Sequence, residues 1–252
     1  MAKYLWLLVL SLSAFFPIES QAYGQDKQVY MTSLEWPPYS GEKLSRQGVT
    51  VATTKAIFKA MGYELVVDFY PWSQAVKLGL DKNSKYLGYF PEYYSSELDK
   101  TCNFSETVGS GPLGFAQLKS KPVNWTSLDD IAKLSRVGVV QDYVNSAEFD
   151  KRVREGNIKT EAVTSDLENL KKLAANRVPI IVIDKYVLEY LLENSLELQE
   201  YKNKIEFNEK LLEDKYLYLC FKNTPQSKTI KKAFDKGAHR VDMKSFFNES
   251  LR

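Results

Sequence analysis

Between Gln28 and Val76 short strand-like runs alternate with helical ones, and proline or glycine marks each change. Gln28 to Ser33 reads as a strand, and Glu35-Trp36-Pro37-Pro38-Tyr39 follows it, where two prolines stop the strand and hold an extended turn. Gly48 precedes a helical stretch from Val49 to Met61, which Gly62 ends at a C′ position. Glu64 to Phe69 alternates and is rich in β-branched residues, a second strand. Pro71 opens the next helix in its first turn, with Trp72, Gln74, Ala75 and Val76. A β-α-β-α order of this kind confines the chain to an α/β architecture, a mostly parallel sheet flanked by helices.

The same grammar continues downstream. Tyr86 to Phe90 is a short strand broken by Pro91, and Cys102 to Phe104 is another. Gly109-Ser110-Gly111-Pro112 is dense in punctuating residues and reads as a crossover, after which Leu113 to Leu118 begins a second α/β unit. Ser127 caps a helix whose first turn carries Asp129 and Asp130. Arg136 to Gln141 is a strand, and Ser146 to Glu155 and Asp166 to Asn176 are helices. Pro179 to Asp184 is apolar enough to be a strand buried on both faces, with a helix from Lys185 to Asn194 after it. A charged stretch, Ser195 to Asp214, leads back to a strand at Tyr216 to Phe221 and to closing helices at Gln226 to Lys236 and Ser245 to Leu251.

Residues 1–22 have the form of an export signal: Lys3, then an apolar run from Tyr4 to Pro17, then Ser20-Gln21-Ala22. The run is shorter than the roughly 20 residues a spanning helix needs, so cleavage after Ala22 and a periplasmic location are expected. In an oxidising compartment Cys102 and Cys220 are either one disulfide or two buried thiols. A net charge of +2, with no basic stripe, argues against nucleic acid as a partner. His239 is the sole histidine and lies in a polar helix, and there is no CxxC. No metal site, no cofactor and no histidine-based triad are therefore expected. Neither glycine-rich phosphate motif occurs.

Taken in order, several of these segments resemble the type 2 periplasmic solute-binding proteins of ABC importers, in the polar amino-acid-binding branch, extracellular solute-binding protein family 3. The markers are Trp36-Pro37-Pro38-Tyr39, Gly62-Tyr63, Pro71-Trp72, Phe104-Ser105, Asn176-Arg177-Val178 before the strand ending at Asp184, and the strand Tyr216 to Lys222. The resemblance implies two lobes with a ligand cleft between them: lobe 1 from residues 23–110 and 210–252, lobe 2 from residues 111–209. It also implies that the strands holding Cys102 and Cys220 lie side by side, which favours a disulfide between them. The protein is then a ligand carrier, not an enzyme, and a monomer. Its partners are a small polar solute and an inner-membrane ABC permease, or a sensor receptor in place of the permease.

Family positions carry over unevenly. Asp184 stands where amino-acid binders hold the ligand ammonium; it is also placed to cap the following helix. Six residues before Phe104-Ser105 the family has an arginine that clamps the ligand carboxylate, and here that position is Leu98. What remains is an acidic and aromatic cleft formed by Glu92, Asp184, Trp36, Tyr39, Trp72 and Tyr93, suited to a cationic or hydroxylated molecule. Gln74 is expected to add a polar contact, and Tyr143, Asn145 and the backbone up to Ser146 to offer N–H groups to ligand oxygens. The competing readings are a periplasmic sensor, or a dehydratase or lyase using Glu92 or Asp184 as acid or base.

Overall fold

The computed structural model describes residues 27–242. The leader and the closing helix expected at 245–251 lie outside them. The described chain begins with β1 (Lys27–Ser33), α1 (Val49–Ala60), β2 (Tyr63–Phe69), α2 (Trp72–Leu80), β3 (Gly88–Tyr93) and the short β4 (Cys102–Phe104). Then come β5 (Gly109–Leu118), α3 (Leu128–Ala132), β6 (Val137–Val140), α4 (Ala147–Arg154), β7 (Thr160–Val163), α5 (Asp166–Ala174), β8 (Ile180–Asp184) and α6 (Lys185–Asn194). The chain closes with β9 (Ile205–Lys222) and α7 (Pro225–Ala238).

The strands form one curled sheet in the order β2-β1-β3-β9-β5-β8-β6-β7, with β4 added on β9. β1 runs parallel to β2 and β3, and β6 parallel to β7 and β8. The antiparallel pairings are those of β5 and β9, the two strands that pass from one half of the sheet to the other. All five residues of β8 are buried, because β5 and β6 flank it and α5 and α6 pack on it. α1 ends where Gly62 takes φ +74°, a conformation glycine adopts without strain. The Ser127 capping box on α3 forms with Asp130.

Four segments depart from the sequence reading. Pro91 does not end its strand: β3 continues to Tyr93, and its pairing with β9 shifts register between Tyr89 and Glu92, which takes the proline out of the regular ladder. The glycines and proline at 109–112 are not a loop but the first residues of a strand, β5, one of the two that pass between the halves, and pair with Leu217 to Asp214 of β9. β9 itself starts at Ile205, eleven residues before Tyr216, and its charged middle is exposed as it crosses between the halves. β7 was not anticipated; it is a four-residue polar edge strand with no fully buried position.

Cys102 and Cys220 are joined in a disulfide, with Cα atoms 5.5 Å apart. They lie on adjacent strands but not opposite each other, since Cys102 faces Lys222 and Cys220 faces Phe104. No helix among the described residues is long and apolar enough to cross a membrane.

Candidate ligand-binding site

The site grows from the turn after β1. Trp36 N donates to Ser40 O at 2.8 Å and Ser40 N to Trp36 O at 3.1 Å, so the chain folds back across Pro37-Pro38. This stacks the Trp36 and Tyr39 rings, 4.4 Å between centroids and 24° between planes. Tyr93 and Tyr143 meet Trp36 edge-on at 5.9 and 6.5 Å, and Tyr143 also meets Trp72 at 5.9 Å. Five aromatic residues thus fill the seam between the two halves of the sheet.

Asp184 ends β8 and caps α6, accepting hydrogen bonds from Tyr186 N at 2.8 Å and Val187 N at 3.3 Å. From the other half, the Tyr39 hydroxyl reaches both its oxygens at 3.0 Å and the Tyr93 hydroxyl reaches Oδ2 at 3.2 Å. The carboxyl is 2% exposed. Burial pushes it up to about 7, although the four donors oppose the rise. Gly111 of β5 passes directly over the pair: a Cβ there would lie 2.0 Å from the Tyr39 hydroxyl and 2.2 Å from Asp184 Oδ2.

Two further carboxyls share the seam. Glu92 accepts from Tyr93 N at 2.8 Å and Tyr89 OH at 3.1 Å, and burial raises it to about 8. Asp166, in the first turn of α5, accepts from Tyr143 OH at 3.3 Å. It rises to about 7 through burial, with the neighbouring Asp184 charge adding to the effect. The Trp36 Nε1–H makes no hydrogen bond of good geometry, yet lies near enough to Asp166 to offset part of that rise. Burial beside these acids keeps the Tyr39, Tyr93 and Tyr143 phenols well above their usual range, so all three remain donors.

Contacts also close the halves at the rim, where Trp72 Nε1 donates to Asp142 O at 3.0 Å and Ser73 Oγ to Asp142 Oδ2. What space remains is small. One cavity of about 20 Å³ is lined by Leu34, Trp36, Trp72, Glu92, Tyr93 and Tyr143. A second, of about 10 Å³, is reached by Asp166, Asp184 and Asn145. An open groove of about 430 Å³ lies outside them, between Glu35, Glu42, Tyr70 and Ser165.

Trp36, Tyr39, Trp72, Glu92, Tyr93, Tyr143 and Asp184 therefore come together in one seam. Gln74 does not: it is exposed on α2 and lines none of these cavities, because the helix turns its Trp72 and Ala75 inward and leaves position 74 outside. Two of the backbone donors expected between Tyr143 and Ser146 are already used, Tyr143 N by Val140 O and Asn145 N by Asp150. Asn145 Nδ2 also donates to Asp150, and Ser146 Oγ caps α4 through Phe149 N. Asn145 still lines the smaller cavity. Leu98 is part-exposed on a short 3-10 turn and also lines none of the three cavities. Asp166 and Lys215 were missed. Asp166 looked like an ordinary first-turn acid, and Lys215 like part of a solvated run. In fact Lys215 is 6% exposed, with Nζ over the Tyr93 ring at 5.4 Å and 3.4 Å from Glu213. Its charge lowers the Glu92 carboxyl against burial. Among the described residues no group of His, Cys, Asp and Glu is arranged to hold a metal ion.

Two half-sheets joined by two long antiparallel strands, with a buried seam between them, define the type 2 periplasmic-binding-protein fold. Solved structures of that fold align over nearly the whole described chain. A histidine kinase sensor domain with similarity to periplasmic binding proteins superposes with a TM-score of 0.74 at 12% identity, covering 89% of this chain and 94% of its own. An amino-acid ABC transporter substrate-binding protein from Streptococcus pneumoniae bound to L-arginine gives 0.69 at 14% identity, covering 89% and 92%. The GluR0 ligand-binding core from Nostoc punctiforme in complex with L-glutamate gives 0.67 at 17%, covering 88% and 96%. No protein-family model and no curated protein matches the sequence.

Proposed function

We propose that the chain is an exported, non-catalytic solute-binding protein. Its leader is removed after Ala22, and the mature monomer closes on a small polar, amine-bearing molecule in the periplasm and delivers it to an inner-membrane ABC permease. Lobe 1 (residues 23–110 and 210–252) and lobe 2 (residues 111–209) hinge where β5 and β9 cross, and the ligand enters between them. The observation that carries this reading is Asp184: a buried carboxyl at the C-terminal end of a strand, at the seam, met by hydroxyls from the opposite half. An ammonium is the natural competitor for those hydroxyls. Trp36, Tyr39, Trp72, Tyr93 and Tyr143 supply the aromatic walls and Glu92 a second charge.

A thermal-shift screen of the chain against amines, amino acids, short sugars and small acids tests the reading. A specific ligand at 100 times its Kd adds about 2.7 kcal/mol; a panel of amines with no effect on the melting temperature would refute it.

A sensor role is the second reading, favoured by the superposition on a kinase sensor domain. In that case the closed form is presented to a receptor instead of a permease. Ligand-dependent capture of one or the other from solubilised membranes separates the two.

A further inference from the structure

The two small cavities are neighbours. Trp36, Tyr93, Tyr143 and Val144 line both, so one wall of side chains divides them. Glu92 faces the cavity of about 20 Å³; Asp166 and Asp184 face that of about 10 Å³. Spaces of this size hold about one water molecule each, and an ammonium group is of water's size. Tyr93 measures the separation between the acids, since its backbone N–H donates to Glu92 and its hydroxyl to Asp184. The two acidic chambers are therefore one tyrosine's length apart.

Resting on the amine-binding reading above, we infer that the ligand carries two ammonium groups, one for Glu92 and one for the Asp166–Asp184 pair, joined by an apolar chain that lies along the Tyr93 and Trp36 rings. Methylene groups suit those rings, and each ring face attracts a nearby cation. No lysine or arginine among the described residues forms an ion pair with Glu92, Asp166 or Asp184. Lys215 bears on Glu92 with its Nζ over the Tyr93 ring at 5.4 Å, and is itself beside Glu213. Glu92 remains raised to about 8 despite it, and Asp166 and Asp184 to about 7. The closed seam thus holds protons near neutrality that a dication replaces. Trp36 Nε1–H, buried in the shared wall without a partner, gains a fully charged acceptor beside it once Asp166 ionises. With Leu98 in place of a carboxylate clamp, the cation beside this seam that could meet a ligand carboxylate is Lys215.

The test is calorimetric titration of the exported chain with 1,4-diaminobutane and 1,5-diaminopentane, each beside its monoamine, and with L-lysine, which is 1,5-diaminopentane carrying a carboxylate. The diamines should bind at least roughly tenfold tighter than 1-aminobutane and 1-aminopentane, a difference of 1.4 kcal/mol, and tighter than L-lysine. Binding should strengthen from pH 5 to pH 8 and release protons, seen as a buffer-dependent heat. Glu92→Gln should lower diamine affinity to the monoamine level; Asp184→Asn should weaken diamine and monoamine binding alike. Monoamines binding as tightly as diamines to the unaltered chain would overturn the inference while the amine-binding reading stood. L-lysine binding tighter than 1,5-diaminopentane would overturn it in favour of a carboxylate held by Lys215. If no amine binds, both fail.

Discussion

The Tyr39 hydroxyl lies 3.0 Å from each carboxylate oxygen of Asp184, although 145 residues separate the two along the chain. The tyrosine belongs to the turn after β1 and the aspartate to the end of β8, so the contact helps fasten the two halves of the sheet, beside those of Tyr93 with Asp184 and Trp72 with Asp142. Tyr39→Phe removes it while keeping the ring stacked on Trp36. The expected loss is about 1–2 kcal/mol in the unliganded protein, seen as a melting temperature lowered by a few degrees. Ligand binding should tighten, because the hydroxyl no longer competes for Asp184.

Gly111 tests the same fastening from the backbone side. A methyl group at this position would overlap both the Tyr39 hydroxyl and Asp184 Oδ2, and Asp184 is held against retreat by Tyr186 N. Gly111→Ala should therefore prise the halves apart, giving a larger radius of gyration by small-angle scattering without ligand. An unchanged radius would show that the contact does not set the closed arrangement.

Stability should fall as pH rises from about 5 to 8. In the unfolded chain a glutamate loses its proton near 4.3, whereas folded Glu92 keeps it up to about 8, and Asp166 and Asp184 up to about 7. Between those values the folded state binds more protons, so raising the pH favours unfolding. Glu161, lowered to about 2 by Lys172 and Arg136, acts in the opposite sense and only in acid, below about pH 4.5. Melting temperatures across pH 5 to 8 should have a negative slope, and Glu92→Gln should flatten it.

The disulfide closes a loop spanning 118 residues. Replacing both Cys102 and Cys220 by alanine should cost about 2–5 kcal/mol, measured by denaturant unfolding. Amine affinity should be unchanged, since neither cysteine lines the seam.

Much of the fold was legible because most elements carry local signals. Val49 to Met61 was framed by Gly48 and Gly62, and Lys185 to Asn194 by the apolar strand before it, and both helices stand within a residue of those limits. What was not legible depends on neighbours. The end of the charged stretch, Leu211, Glu213 and Asp214, pairs as a strand because β5 lies beside it, a partner that no local pattern announces. Pro91 passes as a strand breaker until a register shift accommodates it. In the site, Trp36, Tyr39 and Asp184 followed from turn chemistry and the resemblance. Asp166 and Lys215 are ordinary surface residues by sequence and become part of the seam only when the halves meet. Gln74 failed on helical phase: proximity to Trp72 in sequence put it on the outer side of α2.

β9 is held very differently at Cys220 and in its middle. At Cys220 it is bonded to β4 and hydrogen-bonded to β3 as well, while towards Asn208 its pairing with β5 slips register twice, at Leu113–Gly114 and again before Ala116. It is mechanically a beam held at both ends, by the disulfide at one and by regular pairing of Ile205 to Phe207 at the other, with irregular rungs between. Bending stress applied by the second half is thus concentrated in the irregular rungs, so substitutions that regularise those rungs would stiffen the whole molecule without touching the seam.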